Sequence, residues 1–299
     1  MSVLVVGSVA LDTVETPKER REELLGGSAT HFSVAASKFG EVQLVGVVGE
    51  DFPESGIELF QQNDIDITGL QKVAGKTFRW SGRYMDDMNQ RETLSTDLNV
   101  FESFSPKIPD AYSSAKYLFL ANIHPALQLD VLSQVENPKL VATDTMELWI
   151  DTAREDLQEV IEQSDMLVIN DQEVQMLTGA PSLFTGSKAL LDMGPEFVVA
   201  KKGEHGAMVI GEDLVFMVPG YPLADVVDPT GAGDSFAGGV MGYLAQVDDI
   251  SQENLRKAVV YGSVLASYNV EDFSVEKLRH LSSGDIDERY TQFREITSF

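Results

Sequence analysis

The chain has no cysteine, few basic residues and no long hydrophobic run. Without cysteine, its 299 residues cannot form disulfides, thiolate nucleophiles or cysteine-ligated zinc and iron–sulfur centres. No apolar run approaches the roughly 18 residues of a membrane-spanning helix. The N-terminal sequence MSVLVVGSVALD also lacks the basic region of a signal peptide. We therefore expect a cytoplasmic protein with no membrane partner.

The scarcity of basic residues leaves a strong negative charge. The chain has 22 lysines and arginines against 48 aspartates and glutamates, which gives a formal net charge of −26. Such a field repels nucleic acid, so we expect no nucleic-acid partner. It also repels anionic substrates, so a phosphate site would need local donors and metal. Solubility explains the charge, and a salty habitat is the alternative explanation.

Short hydrophobic segments alternate with helical patterns along most of the chain. The segments are nearly all apolar, as expected for parallel strands covered on both faces. They span residues 3–10, 42–49, 117–123, 139–146, 166–171 and 197–203. Between them we predict a helix over 28–39, capped by Ser28 and ended by Gly40, and another over 151–164, capped by Asp151. The alternation predicts a doubly wound α/β fold, with a mostly parallel sheet, helices on both faces and ligands at the carboxyl ends of the strands.

Two segments, residues 12–27 and 77–98, interrupt this alternation. The second alternates apolar and polar residues around a turn at residues 86–89, which is typical of a hairpin. We predict that both segments form a small β-sheet lid over the substrate site. The core domain would then comprise residues 1–11, 28–76 and 99–299. Two separate surface hairpins are the alternative, and an exposed lid sheet would offer a surface for a homodimer.

Residues 227–239, VDPTGAGDSFAGG, contain clustered glycines, and one carboxylate, Asp234, lies among the five glycines from Gly231 to Gly242. Their spacing matches neither the P-loop nor the dinucleotide fingerprint. The apolar residues that follow predict a helix beginning near Gly231, whose free N–H groups could bind an anion beside Ala232 and Gly233. A carboxylate at such a site can accept the proton of a hydroxyl that attacks phosphorus. Asp234 is therefore the candidate catalytic base, with a helix cap as its alternative role.

The segment DPTGAGDSFAGG resembles the second signature of the PfkB (ribokinase-like) carbohydrate kinases, and the likeness covers nearly the whole chain. Residues 170–173 (NDQE) match that family's N-x-x-E motif, and residues 201–207 (KKGEHGA) are similar to its nucleotide-binding strand and turn. Asp12 and the pair Gly26-Gly27 resemble its sugar-binding region. The resemblance implies a ribokinase-like fold and an ATP-dependent phosphotransferase acting on the hydroxymethyl group of a sugar-like small molecule.

The resemblance also implies roles on the nucleotide side of the site. Asp234 would be the base, with the transferred phosphoryl group held by Gly231, Ala232 and Gly233. Asn170 and Glu173 would organise Mg²⁺ through water, although a helix capping box explains the same two residues. The remaining nucleotide-side residues would be Lys201, Lys202, Gly203, Gly206, Thr230, Asn269 and Phe273. Asp228 and Thr230 match positions that bind a monovalent cation, such as K⁺, in many members.

On the substrate side, the resemblance implies that Asp12 bonds substrate hydroxyls. The further substrate candidates are Gly26, Gly27, His31, Arg79, Trp80, Asn122 and Asp144. Ribokinases read G-G-K-G-A-N where this chain reads 26-GGSATH-31. The replacement of the sugar-contacting asparagine by His31 weakens the case for ribose.

Three functions are therefore open. The first is a kinase of a sugar-like alcohol, the second a nucleoside kinase, and the third a non-catalytic sensor that kept the fold. The intact motifs around Asp234 argue against the sensor. For single residues, Asp12 could instead be a turn residue, and Trp80 could instead pack in the lid core.

Overall fold

The computed structural model describes residues 1–298. Its strands are β1 (Val3–Val6), β2 (Ala10–Glu15), β3 (Arg20–Gly26), β4 (Val42–Gly49), β5 (Ile65–Val73), β6 (Phe78–Tyr84), β7 (Arg91–Asp97), β8 (Tyr117–Leu120), β9 (Leu140–Asp144), β10 (Met166–Asn170), β11 (Phe197–Lys201), β12 (Ala207–Ile210) and β13 (Val215–Val218). Its α-helices are α1 (Ser28–Ala36), α2 (Glu54–Gln62), α3 (Pro125–Gln134), α4 (Glu147–Thr152), α5 (Arg154–Glu162), α6 (Asp171–Thr178), α7 (Leu183–Leu191), α8 (Ala232–Val247), α9 (Gln252–Asn269), α10 (Glu276–Arg279) and α11 (Ser283–Thr297). Short 3₁₀ helices occupy Asn99–Ser103, Asp110–Tyr112 and Gly203–His205.

Nine strands form one sheet, in the order β13-β12-β11-β10-β9-β8-β1-β4-β5. The seven strands from β11 to β5 pair in parallel with their neighbours. The two remaining pairs, β11 with β12 and β12 with β13, are antiparallel. Alternate side chains of β1 enter separate hydrophobic clusters, with Val5 beside Phe32 in one and Leu4 beside Leu118 in the other. The sheet is therefore covered on both faces, which confirms the predicted doubly wound fold.

Each of the six predicted strand segments contains a strand, but three strands of this sheet were not predicted. They are β5, β12 and β13. β5 and β13 form the two edges of the sheet. Residues 215–218 of β13 (VFMV) are all apolar, but Met217 is 60% exposed, so this edge strand is not covered on both faces as the predicted strands are.

Both predicted capping residues were wrong, although α1 does begin at Ser28. Gly27, without a side chain, occupies the N-cap position of α1, and the hydroxyl of Ser28 lies 3.1 Å from that of Ser8 instead. The helix also ends at Ala36, earlier than predicted. The segment 151–164 is divided between α4 and α5, so Asp151 lies within a helix. Local capping residues were outweighed by tertiary contacts in both cases.

The second sheet has four strands in the order β3-β2-β6-β7. Its central pair, β2 and β6, is parallel, which joins the two interrupting segments in one sheet rather than in two separate hairpins. Side-chain contacts fasten it to the main domain, because Val14 and Tyr84 pack on Phe273 and Lys18 pairs with Asp225. No helix within residues 1–298 is long and apolar enough to cross a bilayer.

Candidate active site

Several predicted residues meet at the carboxyl edge of the main sheet. Strands β9, β10 and β11 are neighbours and end at Asp144, Asn170 and Lys201 respectively. Helix α8 begins beside them, and its first turn contains Asp234. The structure therefore brings four candidates from separate motifs into one place.

The glycine turn before α8 has a backbone that few other residues could adopt. Gly231 has φ +74°, and a Cβ there would lie 2.1 Å from Nδ1 of His31. The His31 ring thus packs directly against the turn, while Nδ1 donates to Oδ1 of Asn269 at 3.1 Å. Oδ1 of Asn269 also accepts from Ser235, and its amide donates to the carbonyl of Thr230. This network holds the N-terminal end of α8 in place.

Asp234 is the carboxylate nearest to this turn in sequence. Its side chain is half-buried. Burial, with a contribution from the charge of Asp144, raises its pKa to about 7, while Lys201 and Arg91 act in the opposite direction. A carboxylate with such a pKa changes protonation near neutral pH, which suits a general base.

Lys201 supplies the positive charge at the centre of the cluster. Its Nζ lies 3.2 Å from Oδ1 of Asp144, and a Cβ on Gly233 would lie 3.1 Å from it. Burial alone would lower the pKa of Lys201, but Asp144, Glu173 and Asp234 together raise it. The ammonium group therefore stays charged and lies against the anion-binding turn.

Asn170 and Glu173 form a helix capping box at the start of α6. The Asn170 side chain accepts from the Glu173 N–H at 2.8 Å, and Glu173 Oε2 accepts from the Asn170 N–H at 2.9 Å. Burial raises the pKa of Glu173 to about 7, although Lys201 opposes the shift. The second oxygen of Glu173 is not used by the box. One buried carboxylate oxygen fits a hard cation that keeps most of its waters and also binds phosphate. No cluster of three or more potential ligands within residues 1–298 could hold a metal by itself.

Asp228 is fully buried, and its two oxygens already have partners. One accepts from the N–H of Thr230 at 2.9 Å, and the other from the N–H of Ser274 at 3.1 Å. The Thr230 hydroxyl donates to Tyr84 of the small sheet. Asp228 thus shapes the loop before the glycine turn, and its role toward a monovalent cation stays a prediction.

Asp12 lies on the other side of the site, on strand β2. It is buried, and a Cβ on Gly26 would lie 1.9 Å from its Oδ2, so only glycine fits beside it. Its Oδ1 is buried and has no hydrogen-bond partner within the described residues. Burial raises its pKa to about 7, with a further contribution from the charge of Asp228. Such a carboxyl group is arranged to receive a ligand donor.

His31 also keeps an unpartnered atom. The Nδ1–H of His31 donates to Asn269, so the neutral ring presents Nε2 as an acceptor. Nε2 is buried and has no hydrogen-bond partner in residues 1–298. Burial lowers the pKa of His31 to about 4, although the bond to Asn269 opposes this. His31 therefore packs against the glycine turn, and its predicted contact with a sugar stays a prediction.

Several other predicted residues are already engaged within the protein. The guanidinium of Arg79 pairs with Glu23 and Asp51, so it is not free for an acidic substrate. The Trp80 indole donates to Thr93 at 3.3 Å and lies within the lid. The predicted substrate contacts of Arg79 and Trp80 stay predictions.

The two residues predicted to contact adenine, Asn269 and Phe273, are buried in the structure, and their contacts with adenine stay predictions. Asn269 is fully buried and makes hydrogen bonds to three neighbours. Phe273 is buried in the cluster beneath the small sheet, under the guanidinium of Arg21. Neither side chain lines an open cleft. The loop that holds Lys202, Gly203 and Gly206 does lie beside β11, where the backbone of Lys202 and Gly206 closes a turn.

Two residues at the site were not predicted. Trp149, on α4, donates its indole N–H to Oδ1 of Asn122 at 2.8 Å. Arg91 begins strand β7 opposite Tyr84, and its charge acts on Asp234. A tryptophan five residues after a strand end and an arginine after a hairpin turn were the only sequence signals, and both patterns are common on surfaces.

Comparison with known proteins defines the family. A model of the pfkB family carbohydrate kinases matches residues 2–278, and the chain belongs to this family of kinases. A cytidine kinase from Thermococcus kodakarensis is 31% identical over 248 residues, which cover 81% of this chain and 87% of the relative. A nucleoside kinase from Methanothermobacter thermautotrophicus is 27% identical, with coverage of 90% and 89%. The crystal structure of a Methanocaldococcus jannaschii nucleoside kinase, described as an archaeal member of the ribokinase family, has a TM-score of 0.78 at 22% identity and covers 97% of this chain and 98% of that one.

Proposed function

We propose that the protein is an ATP- and Mg²⁺-dependent nucleoside kinase that phosphorylates the hydroxymethyl group of a ribosyl unit. The observation that carries the kinase chemistry is the placement of Asp234 and Lys201 around the glycine turn at the start of α8. The preference for nucleosides over free sugars rests on similarity, because the cytidine and nucleoside kinases above match most of the chain.

In the proposed reaction, Asp12 accepts hydrogen bonds from the substrate hydroxyls and fixes the orientation of the sugar. Asp234 accepts the proton of the hydroxymethyl group, which then attacks the phosphoryl group. The N–H groups of the glycine turn and the ammonium of Lys201 stabilise the charge that develops. Bound Mg²⁺ would neutralise the phosphate charge, held by Glu173 and Asn170 through water. The small sheet would exclude water from the site.

An assay of ATP consumption across nucleosides, pentoses, hexoses, sugar acids and polyols tests this proposal. We expect kcat/KM to be highest for a nucleoside, with ADP and the nucleoside monophosphate as products. Turnover of a free sugar with no nucleoside turnover would show a sugar kinase instead. Tight binding of a ligand without any turnover would favour the non-catalytic sensor.

A further inference from the structure

The lid contains five arginines, and four of them pair with carboxylates of the chain. These four are Arg20, Arg21, Arg79 and Arg83. Arg91, the first residue of β7, forms no ion pair within residues 1–298. The chain has 48 acidic side chains and 22 basic ones, so an arginine without a carboxylate partner stands out. Because Arg91 is also exposed, its guanidinium is available to an anionic ligand.

The side chain of Arg91 lies on the face of the lid that meets the core domain. Arg91 and Tyr84 are directly opposite in the register of β6 and β7, so their side chains project from the same face of the sheet. On that face, the Tyr84 hydroxyl accepts a hydrogen bond from the Thr230 hydroxyl at 3.1 Å. The guanidinium carbon of Arg91 lies 5.9 Å from the centre of the Trp80 ring. Since Thr230 directly precedes Gly231, this face of the hairpin lies beside the glycine turn.

The tip of the same hairpin contacts the loop after β11. The amide nitrogen of Asn89 donates to Asp87 at 3.2 Å and to Glu204 at 3.2 Å. Because a carboxylate only accepts, these two contacts identify the nitrogen, and the amide oxygen faces Gly203. A Cβ on Gly203 would lie 2.7 Å from that oxygen. Gly203 follows Lys201 by two residues, so the tip lies beside the cationic part of the phosphate cluster.

The hairpin therefore contacts the phosphate cluster at two points, with Arg91 between them in the sequence of contacts. The tip meets the loop after Lys201, and Tyr84 meets the residue before the glycine turn. Lys201 and that turn are neighbours, since a Cβ on Gly233 would lie 3.1 Å from the Lys201 Nζ. Burial raises the pKa of Asp234 to about 7, and the positive charge of Arg91 opposes this shift. Arg91 thus lies within electrostatic range of the base.

We propose that Arg91 is a catalytic residue carried by the lid, and that it binds the transferred phosphoryl group when the hairpin is seated on the core domain. This inference rests on the proposed phosphoryl transfer to a hydroxyl and does not depend on which acceptor carries that hydroxyl. In the transfer, the hydroxyl oxygen bonds to phosphorus, its proton passes to Asp234, and the bond between phosphorus and the departing ADP oxygen breaks. A guanidinium offers parallel N–H donors to the phosphoryl oxygens, on which charge develops. Asn89 is then a positioning residue, which acts through Arg91 by seating the hairpin tip.

The test measures single-turnover rates and steady-state kinetics with the acceptor that the wild type turns over fastest. Arg91→Met should lower kcat by about 10²-fold and leave the KM for the acceptor unchanged, because the lost contact is made to the moving phosphoryl group. Arg91→Lys keeps the charge but lacks the planar fork, so it should recover part of the loss. Arg83→Met is the matched control, because it removes an arginine of the same hairpin that already pairs with Glu15, and it should keep the wild-type kcat.

The role of Asn89 is tested by a double-mutant cycle. Asn89→Ala should lower kcat several-fold in the wild type but have little further effect in the Arg91→Met protein, because it acts through Arg91. Gln90→Ala, at a tip residue that donates to Asp87, is its control and should leave kcat unchanged. Additive losses from Asn89→Ala and Arg91→Met would contradict the positioning role.

A nearly normal kcat in Arg91→Met would overturn the inference. A raised KM for the acceptor at unchanged kcat would also overturn it, since Arg91 would then only hold the lid closed. Equal losses in Arg91→Met and Arg83→Met would show a general effect of the lid charge instead. If melting temperatures show that Arg91→Met does not fold, Arg91→Lys carries the comparison. These outcomes leave the proposed kinase function standing, whereas a wild type that turns over no acceptor would overturn that function and this role with it.

Discussion

On the phosphate side of the site, each buried charge faces an opposite charge or a backbone donor, whereas on the substrate side Asp12 and His31 each keep a buried atom without a partner. Asp144 pairs with Lys201, and Glu173 is held by its capping box. Oδ1 of Asp12 and Nε2 of His31 have no such partner within residues 1–298. An unpaired buried polar atom normally costs free energy, so its persistence points to a ligand or a positioning role.

This contrast indicates that the two sides of the site are stabilised in different ways. The phosphate side is preorganised by the protein itself, so charge developing during transfer meets donors that need not move. The substrate side is completed by its ligand, which makes it the variable part of the site. The predictions that follow test this division, from the largest expected effect to the smallest.

Replacement of Asp234 by asparagine should have the largest effect. We expect kcat to fall by about 10³-fold or more, because the base is lost while the anion-binding turn is kept. The KM for ATP should change little. Steady-state kinetics and ATP titration measure the two effects, and a variant with nearly normal kcat would rule out Asp234 as the base.

The pH dependence of the wild type gives a second measure of the same group. Because the pKa of Asp234 is raised to about 7, the carboxyl is protonated below that pH and cannot accept a proton. We expect kcat/KM to fall as the pH decreases through about 7. Since Asp12 and Glu173 also have pKa values raised to about 7, the fall should be steeper than for one group. A flat profile between pH 5 and pH 8 would contradict the assignment.

Loss of the central cation should come next in size. Lys201→Met should lower kcat by about 10²-fold, comparable to the removal of one transition-state donor. Lys257→Met, at a surface ion pair on α9, is the control and should leave kcat unchanged. Single-turnover rates measure the chemical step directly. Equal rates for the two variants would show that Lys201 serves only to neutralise Asp144.

The phosphate side was also the more predictable from sequence. Its glycines and Asp234 form one contiguous motif, and Asn170 and Glu173 belong to another, because each lies at a helix N-terminus, which is built from consecutive residues. The alternation of buried strands likewise indicated the main sheet. Edge strands β5 and β13 were not predicted, since they have only one neighbouring strand and lack the buried pattern.

The substrate side depends on contacts between distant parts of the chain, which spacing does not encode. His31 meets Asn269 across 238 positions, and Arg79 meets Glu23 across 56. The sequence assigned Arg79 to a substrate but did not indicate that Glu23 of the lid and Asp51 of the core domain pair with it. Trp149 had no pattern around it, and only folding brings it to Asn122.

The glycine turn can be tested for steric fit with a matched pair of alanine variants. Gly231 and Gly179 both have positive φ values, +74° and +64°, but only Gly231 faces a neighbour. A Cβ on Gly179 meets nothing within 4 Å, so Gly179→Ala should cost about 1 kcal/mol from backbone strain alone. Gly231→Ala should cost about 2–4 kcal/mol and lower kcat, because the His31 ring must move. Chemical denaturation provides the free energies of unfolding, and equal values would contradict the proposed contact.

Asp12→Asn should have the smallest effect on catalytic chemistry but should stabilise the free protein. The pKa of Asp12 is raised from its ordinary value of 3.8 to about 7, so its contribution to stability is complete below pH 3.8 and is lost as the pH rises through about 7. Asparagine has no charge to bury and escapes this loss. The gain in unfolding free energy should therefore be larger at pH 8 than at pH 5, by roughly 1–3 kcal/mol.

The same Asp12→Asn variant should bind its acceptor substrate more weakly, with a raised KM for that substrate and an unchanged KM for ATP. Asp130→Asn, at an exposed position on α3, is the control and should show neither the pH-dependent gain nor the change in KM. Denaturant titrations at the two pH values measure stability, and kinetics with each substrate varied in turn measures binding. A gain in stability without weaker substrate binding would show that Asp12 is strained for another reason. A raised KM without the gain in unfolding free energy would show that the charge of Asp12 is already neutralised in the free protein. The substrate side would then need no ligand to satisfy its buried charge, as on the phosphate side.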